Sequence, residues 1–354
     1  MRKWILKFSF TSVLNMNIYN YLLHNMHSKQ KLISIVKMTL LFGVIFGLLR
    51  LSFNLVGFKK IDHHSKASVK YLDVFKRLYN IQQFRNETIA TFPGALCDTN
   101  VTLFVFIVSA SQNILAREAI RNTWGTKCTN SHKDARCVFV VGRSRNELLN
   151  RYILEESDVN RDILIVPFYD VYSNLTYKTM FALQWSKRYC NGKIKFFMKT
   201  DDDMFVSVRR LTAYLNNAPK KRLFIGKCWG LAKPIRNWSS KWYVTFKQYN
   251  HTYYPKICSG TGYVMSYDVA LSVVQISSTV PYLYLEDVFV AICANRQGII
   301  PKNVSGFHNS KIALKSCKDV HKVFTSHGLS VSEMYKVWKK IGTCSPTEID
   351  EYKQ

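Results

Sequence analysis

The chain has 354 residues, of which 50 are Lys or Arg and 23 are Asp or Glu, so its formal net charge is +27. This balance excludes an acidic protein, and a hydrophobic content of 47% with 14% aromatic residues excludes a disordered polycation. The charge is uneven, because residues 1–61 carry nine basic residues and no acidic one, whereas the rest carries a net +18. An acid-free, apolar amino-terminal stretch points first to a membrane and only then to nucleic acid.

The first predicted element is a membrane-spanning helix at 38–58. An uncharged apolar run ends at Arg50, and a second apolar run follows it. A span needs about 20 apolar residues, and Arg50 can extend its side chain toward an interface. A buried core helix is the alternative. Because most basic residues of this region precede the segment, it is predicted to be a signal anchor with a cytosolic tail at 1–37 and a lumenal remainder.

Cysteines and glycosylation sequons both fall on the predicted lumenal side. All nine cysteines follow the segment and none forms a Cys-x-x-Cys pair that would indicate zinc, so disulfides in an oxidising compartment are expected. An odd number leaves at least one thiol unpaired, and a homodimer through that cysteine is a further expectation. Six Asn-x-Ser/Thr sequons lie on the same side: Asn86, Asn100, Asn174, Asn237, Asn250 and Asn303.

The lumenal part divides into a stem at 59–96, a folded domain at 97–345 and a short tail at 346–354. In the folded domain, short apolar runs alternate with segments of helical spacing. Strands are predicted at 101–108, 138–141, 163–168 and 194–198, and helices at 117–124, 147–156 and 177–189. This alternation predicts an α/β fold with a mainly parallel central sheet and flanking helices, in which ligands bind at the carboxyl ends of the strands.

Three consecutive carboxylates, Asp201, Asp202 and Asp203, follow the strand predicted at 194–198. Adjacent buried carboxylates repel one another and need a cation. Oxygen ligands at one short turn suit Mg²⁺ or Mn²⁺, with the other coordination positions filled by water and phosphates. A solvated acidic turn is the alternative, and the position directly after an apolar strand favours the metal site.

A second acidic pair, Glu286 and Asp287, begins an apolar helix predicted at 286–292. Carboxylates at a helix N-terminus are often only caps or partners of the helix dipole. The same terminus would keep Asp287 ionised, as a general base for a hydroxyl requires. The preceding segment 258–263 is rich in small residues and is predicted to be a loop where backbone can approach a ligand closely.

Taken in chain order, these segments resemble the β-1,3-galactosyltransferase family of Golgi type II membrane hexosyltransferases, which also includes β-1,3-N-acetylglucosaminyltransferases. The resemblance covers 101–338, and the ordered set of motifs is far more specific than any one of them. The motifs are Arg-Glu-Ala-Ile-Arg-Asn-Thr-Trp-Gly at 117–125, Asp-Val-Tyr-Ser-Asn-Leu-Thr-Tyr-Lys-Thr at 170–179, Lys-Thr-Asp-Asp-Asp at 199–203, Lys-Pro-Ile-Arg at 233–236 with Ser-Lys-Trp-Tyr-Val at 240–244, Tyr-Pro-Lys-Ile-Cys-Ser-Gly-Thr-Gly-Tyr at 254–263 and Glu-Asp-Val at 286–288.

The resemblance implies a GT-A-type nucleotide-sugar fold in a lumenal catalytic domain and an inverting β-1,3-glycosyltransferase that moves galactose from UDP-galactose. It further implies a divalent cation, Mn²⁺ or Mg²⁺, a UDP-sugar as co-substrate, and a glycan acceptor on a glycoprotein or glycolipid. The implied location is the Golgi membrane, crossed once with the amino terminus in the cytosol.

By position, the resemblance makes Asp287 the base that deprotonates the acceptor hydroxyl and Asp203 a direct metal ligand. It places Asp201 close to the metal and suggests His327 as a second ligand, with His308 as the rival. Donor-binding residues would be Asp201, Asp202, Arg117, Arg121 and Lys178, since a diphosphate needs cations. Acceptor-binding residues would be Glu286, Gly260, Thr261, Gly262 and Trp242.

Some positions leave alternatives open. Arg117 and Arg121 could instead form ordinary helix-surface ion pairs, and Asn174 could cap a helix rather than carry a glycan. The chain departs from the family pattern at 236–240, where a sequon and Trp238 replace an acidic-proline run, and at Cys228, where no cysteine is expected. These departures concern the acceptor side of the site.

Three classes of function remain. The first is a transferase using UDP-galactose, with UDP-N-acetylglucosamine as the alternative donor. The second is a non-catalytic lumenal lectin or chaperone on the same fold, which the presence of every expected carboxylate disfavours. The third is a basic nucleic-acid binder, which the expected disulfides and sequons disfavour, so no nucleic-acid partner is expected.

Overall fold

The computed structural model describes residues 100–128, 134–190, 192–314 and 316–344. Several predictions concern residues outside these ranges. They are the cytosolic tail at 1–37, the membrane anchor at 38–58, the stem at 59–96, the tail at 346–354, the sequon at Asn86 and both ends of the lumenal domain. Inside them, no helix combines the length and the hydrophobicity needed to cross a bilayer. All of them lie in one of the two compact units into which the chain divides.

Nine strands are described. They are β1 (Val101–Ser109), β2 (Ala135–Arg143), β3 (Ile163–Tyr169), β4 (Ile194–Asp201), β5 (Phe205–Val206), β6 (Phe224–Trp229), β7 (Ile257–Ser266), β8 (Lys302–Asn303) and β9 (Thr325–Ser326). Seven form one sheet in the order β3-β2-β1-β4-β7-β6-β8, and β5 pairs with β9 apart from it. Only β7 runs antiparallel to its neighbours within the described sheet. The predicted α/β fold with a mainly parallel sheet is confirmed.

Eight α-helices connect the strands within the described residues. They are α1 (Ile114–Asn122), α2 (Glu147–Asn160), α3 (Leu175–Tyr189), α4 (Val208–Asn217), α5 (Tyr267–Ser277), α6 (Glu286–Arg296), α7 (Cys317–Lys322) and α8 (Val331–Gly342). The four helices predicted from the sequence are confirmed with shifted ends. The first of them stops at Asn122, and Trp124 begins a short 3-10 helix.

Strand β1 shows why its residues form a central strand. All nine residues are buried, as expected for a strand covered by packed layers on both faces. Alternate side chains enter different cores: Phe104 and Phe106 belong to one cluster, and Leu103 and Val105 belong to the other. The sheet is therefore packed on both faces, which holds the carboxyl ends of its strands in place.

The segment 258–263 was predicted to be a loop, and this prediction is wrong. The segment lies in β7, between β4 and β6. Small residues suit this strand because backbones approach closely there: a Cβ added to Gly226 of β6 would lie 3.2 Å from the carbonyl oxygen of Gly262. Close tertiary packing thus overrides the low strand preference of glycine.

Among pairs whose two cysteines both lie in the described residues, three disulfides confirm the expectation of disulfide bonding: Cys128–Cys137, Cys228–Cys258 and Cys317–Cys344. Cys228, which departs from the family pattern, therefore links β6 to β7. Among the described cysteines, Cys293 of α6 is free and fully buried. Because this thiol has no access to the surface, it offers no route to a disulfide with a second chain.

Candidate active site

The Asp triplet turns its side chains in two directions at the carboxyl end of β4. Asp201 is the last residue of the strand, and Asp203 lies two residues further on the same side. Asp202 points the other way, toward the connection between β1 and α1, where its Oδ2 accepts a hydrogen bond of 3.0 Å from Asn113 Nδ2. The triplet therefore serves two neighbouring parts of the site.

His327 reaches the triplet through the small β5–β9 ladder. Strand β9 pairs with β5, which directly follows the triplet, and the Leu329 amide donates to the Asp203 carbonyl at 2.9 Å. His327 Nε2 consequently lies 3.3 Å from Asp203 Oδ2. The next residue, Gly328, has φ +76°, a conformation that favours glycine. The structure thus brings His327, and not His308, to the carboxylates.

Asp201, Asp203 and His327 fit a divalent cation. Each offers one ligand atom, and these atoms lie within 4.8 Å of one another. Oδ1 of Asp203 is buried without a hydrogen-bond partner, so an acceptor atom is left for an ion. Two carboxylates and one imidazole, with room for water and phosphate oxygens, suit Mn²⁺ or Mg²⁺.

Lys199 connects this cluster to the next strand. Its Nζ donates to Asp201 Oδ1 at 2.6 Å and to the Gly260 carbonyl of β7, and it lies 3.8 Å from Glu286 Oε2. Burial alone would lower the pKa of Lys199, but the carboxylates of Asp201 and Glu286 raise it above its usual value. A permanent positive charge therefore lies between the metal cluster and the second acidic pair.

Asp287 lies at the start of α6, with both carboxylate oxygens oriented by backbone amides. Oδ1 accepts from the Val288 amide at 2.9 Å, and Oδ2 accepts from the Gly260 amide at 3.2 Å. Burial raises the pKa of Asp287, and these two hydrogen bonds oppose that rise. A Cβ added to Gly260 would lie 3.4 Å from the Asp287 Cβ, so glycine allows this close approach. Each oxygen keeps a second lone pair that can accept a proton.

Glu286 is buried, with 4% of its surface exposed. Its Oε1 accepts a hydrogen bond of 2.6 Å from the Tyr263 hydroxyl. Burial raises the pKa of Glu286 to about 7; Lys199 opposes this rise, and Asp287 adds to it. Glu286 is thus protonated in a large fraction of molecules near neutrality, which limits the repulsion between the two adjacent carboxylates.

Glu286 should make folding stability depend on pH. The folded chain keeps a proton on Glu286 up to about pH 7, whereas an unfolded glutamate loses it near pH 4.5, so this residue's contribution to stability falls as the pH rises between those values. Glu286→Gln has no proton to lose. In the presence of a chelator, the free energy of unfolding of the wild type relative to the variant should decrease by up to about 3 kcal/mol across this window. A difference that stays constant from pH 4.5 to 7 would contradict the assignment.

Tyr172 is exposed near Asp287, and Trp242 is its exposed neighbour. Trp242, predicted to bind acceptor, is 47% exposed, with the Lys241 ammonium 4.6 Å from its ring. Tyr172, also 47% exposed, was missed by the sequence analysis. Burial and the charge of Asp287 raise the pKa of Tyr172, while a hydrogen bond with Trp242 opposes this rise. Its position inside the motif at 170–179 was the signal that could have identified it.

The three basic residues predicted to bind the donor are all engaged inside the protein. Arg117 is 0% exposed and pairs with Glu156 at 2.7 Å. Arg121 donates to Asp162, which precedes β3. Arg121 therefore lies toward the amino-terminal ends of the parallel strands, whereas the triplet lies at the carboxyl end of β4. Lys178 is 1% exposed. In this structure none of the three side chains presents a nitrogen to a diphosphate. Both arginines instead form ion pairs, as the alternative to donor binding predicted.

The remaining acceptor-side positions, Thr261 and Gly262, help to join β7 to β4. The Thr261 carbonyl accepts from Thr200 Oγ1 at 3.0 Å, and Gly262 pairs with Thr200 in the ladder. Of the three small residues predicted on the acceptor side, Gly260 is the one that touches the acidic pair. The others fix the strand that carries it.

Asn174 occupies the N-cap position of α3, but its side chain makes no capping hydrogen bond, so only the position agrees with the capping alternative. Its Nδ2 instead donates to the Tyr169 carbonyl at 2.8 Å, and the residue is only 8% exposed. A glycan on this nitrogen would require the turn to open. The other sequons in the described residues are exposed: Asn100, Asn237, Asn250 and Asn303.

Comparison with known proteins decides the family. The family model described as Galactosyltransferase matches residues 115–305, a range that contains the Asp triplet and both residues of the second acidic pair. The chain is 36% identical over 251 residues to beta-1,3-galactosyltransferase 1 of Mus musculus, covering 70% of this chain and 76% of that protein. The chain belongs to the galactosyltransferase family.

Other relatives of this galactosyltransferase agree. It is 36% identical to beta-1,3-galactosyltransferase 1 of Homo sapiens, and 37% identical over 238 residues to beta-1,3-galactosyltransferase 5 of Pan troglodytes, covering 64% of this chain and 80% of that protein. A solved glycosyltransferase involved in glycosylation of the major capsid of PBCV-1 is 11% identical with a TM-score of 0.36, covering 67% of this chain and 99% of that one, which is too distant to support an argument. Family membership places the galactosyltransferase among the hexosyltransferases and weighs against a nucleic-acid binder.

Proposed function

We propose that this protein is an inverting β-1,3-galactosyltransferase that moves galactose from UDP-galactose to a hydroxyl of a terminal sugar on a glycoprotein or glycolipid. The observation that carries the proposal is the placement of Asp287 across Lys199 and Gly260 from the cluster of Asp201, Asp203 and His327. A nucleotide diphosphate on the cluster and a hydroxyl at Asp287 would meet in one GT-A-type site.

The reaction derived from this geometry begins with the acceptor. Asp287 accepts the proton of the attacking hydroxyl on a free lone pair of its carboxylate, whose orientation the amides of Val288 and Gly260 fix. The hydroxyl oxygen attacks the anomeric carbon from the face opposite UDP, forms the new glycosidic bond and displaces the diphosphate, so the configuration inverts. Lys199 keeps both halves of the site at a fixed separation during this step.

Asp201, Asp203 and His327 would bind the Mn²⁺ or Mg²⁺ ion. When bound, such an ion neutralises the negative charge that develops on the departing diphosphate, so no strong acid for the leaving group is required. Asp202 faces the β1–α1 connection, where it would lie near the ribose.

Tyr172 and Trp242 would contact the acceptor, because Tyr172 is exposed near the proposed base and Trp242 is its exposed neighbour. Aromatic faces suit the C–H faces of sugar rings. Glu286 would support the acceptor side from its buried position next to Asp287 in the chain. The proposal includes the predicted cytosolic tail at 1–37, the signal anchor at 38–58, the stem at 59–96 and the catalytic domain at 97–345, with residence in the Golgi membrane.

A donor panel tests this function. The full chain is incubated with Mn²⁺, UDP-galactose, UDP-N-acetylglucosamine or UDP-N-acetylgalactosamine, and acceptors that end in each of these sugars. Transfer from UDP-galactose to give a β-1,3 linkage is expected, with no transfer when a chelator is present. Preference for UDP-N-acetylglucosamine would replace the proposed donor, since a hydroxyl and an acetamido group are told apart by the shape of the pocket. Binding of glycans without any transfer would instead identify a lectin.

A further inference from the structure

A buried ion pair lies where three parallel strands end. Asp170 directly follows β3, and Lys178 lies in the first half of α3. Their side chains are 8% and 1% exposed, and Lys178 Nζ lies 2.6 Å from Asp170 Oδ1. The pair is too deep to touch a ligand, so its position inside the motif at 170–179 needs another explanation.

The pair connects the ends of β1, β2 and β3. Lys178 Nζ donates to the carbonyl of Ser109, the last residue of β1, at 2.8 Å. Asp170 Oδ2 accepts from the Ser111 amide at 3.1 Å and from the Gly142 amide of β2 at 3.0 Å. These three hydrogen bonds are direct, so the carboxyl ends of the three strands form one rigid junction.

Gly142 shows how closely the junction is packed. A Cβ added to this residue would lie 3.0 Å from the backbone N, the Cα and the Cβ of Asp170, which is closer than side chains normally approach. The absence of a side chain at Gly142 therefore allows β2 to reach the Asp170 carboxylate. This steric observation is independent of the charge of the pair.

The junction leads to the Asp triplet through 109–113, which we name the donor loop. Its first residues are fixed by Lys178 and Asp170, and its last residue, Asn113, donates to Asp202 Oδ2 at 3.0 Å. Asp202 stands between Asp201 and Asp203 in the sequence, but its side chain points away from theirs. Hydrogen bonds at both ends of the donor loop thus connect the buried pair to the residue proposed to lie near the ribose.

We propose that Asp170 and Lys178 are positioning residues for the donor, which set the conformation of the donor loop and, through Asn113, the orientation of Asp202. This inference rests on the proposed function, because the donor is the UDP-sugar. A buried pair is suited to the role, since loss of one partner leaves an uncompensated charge that must rearrange its surroundings. A site whose loops are fixed in advance spends less free energy on ordering them during binding.

Asp170→Asn and Lys178→Met should each raise the KM for the UDP-sugar, and the dissociation constant for UDP with Mn²⁺, on the order of 10- to 100-fold. The KM for the acceptor should rise much less than the KM for the donor, because Gly260 and Asp287 on the acceptor side belong to β7 and α6, although Tyr172 lies between the two varied residues in the sequence. The double variant should lose less than the product of the single effects, since both changes remove the same interaction. Full-chain enzyme is used throughout.

Asp268→Asn is the matched control. Asp268 lies in the first turn of α5, where its carboxylate accepts hydrogen bonds from the Arg222 amide and the Ser266 hydroxyl, away from the donor loop. Its loss should lower the melting temperature without changing the donor KM. If Asp170→Asn behaves like this control, or if donor and acceptor KM rise equally, the inference is overturned.

Gly142→Ala keeps both charges, so it tests the inference even if the charge substitutions prevent folding. The added methyl group should displace Asp170 and raise the donor KM in the same direction, and an unchanged donor KM would overturn the inference. The proposed function fails separately: wild-type enzyme that transfers no sugar refutes it, whereas active wild type with unaffected variants refutes only the positioning role.

Discussion

Asp287→Asn should abolish sugar transfer and leave donor binding largely intact. Asparagine keeps the shape of the side chain, and its amide oxygen can still accept from the amide of Val288 or of Gly260, but it cannot take the proton of the acceptor hydroxyl. General bases contribute roughly 10²- to 10⁴-fold to enzymatic rates, so kcat should fall by at least about 100-fold. Steady-state kinetics with UDP-galactose, together with calorimetric titration of UDP in the presence of Mn²⁺, measure the two properties separately.

Asp268→Asn provides the comparison for this variant. Asp268 also lies in the first turn of a helix, α5, and accepts a hydrogen bond from the Arg222 amide, away from the candidate site. It should retain normal transfer, so a loss in both variants would reflect damage to helix starts in general. Near-normal transfer by Asp287→Asn alone would show that another group removes the proton.

Asp203→Asn should weaken the metal-dependent part of UDP binding on the order of 10- to 100-fold. Changes to residues that only orient metal ligands already cost this much, and Asp203 is proposed to contact the ion directly. The substitution also removes the negative charge of the carboxylate whose Oδ2 lies 3.3 Å from His327 Nε2. Titrations of UDP with and without Mn²⁺ separate the metal-dependent part from the rest.

The control for Asp203→Asn is Asp158→Asn on the exposed face of α2. That variant should bind UDP with Mn²⁺ as tightly as the wild type. If Asp203→Asn shows the same gain in UDP affinity on addition of Mn²⁺ as the wild type does, Asp203 is not a ligand. The melting temperature of both variants distinguishes local loss from unfolding.

The sequence was sufficient for the fold class because periodicity reports burial directly. Apolar runs such as the one that became β1 could be only buried strands or buried helices, and their lengths favoured strands. The same reasoning placed the Asp triplet at a strand end. It could not show that Asp202 turns away from its neighbours, because direction within a turn depends on Asn113, which lies far away in the sequence.

The basic residues show where sequence reasoning stopped. A cation beside a diphosphate and a cation buried against a carboxylate have the same sequence signature, and only burial separates them: Arg117 pairs with Glu156, and Lys178 pairs with Asp170. The prediction of a loop at 258–263 was wrong for a different reason. Its glycines are typical of loops, and the close approach of β6 that places them in a strand is a contact between distant parts of the chain.

The antiparallel pairing of β7 with β4 has a consequence for how the site can vary. Thr200 faces Gly262 and Lys199 faces Tyr263 in a continuous ladder, so strand register, together with the contact between Gly260 and Asp287, fixes how far the proposed base lies from the proposed metal cluster. A one-residue slip of β7 would turn Tyr263 away from Glu286 and bring Ser259 or Thr261 against the carboxylates. Insertions and deletions in β7 should therefore be lethal to activity, while changes of acceptor preference can arise freely in the long connection from β6 to β7.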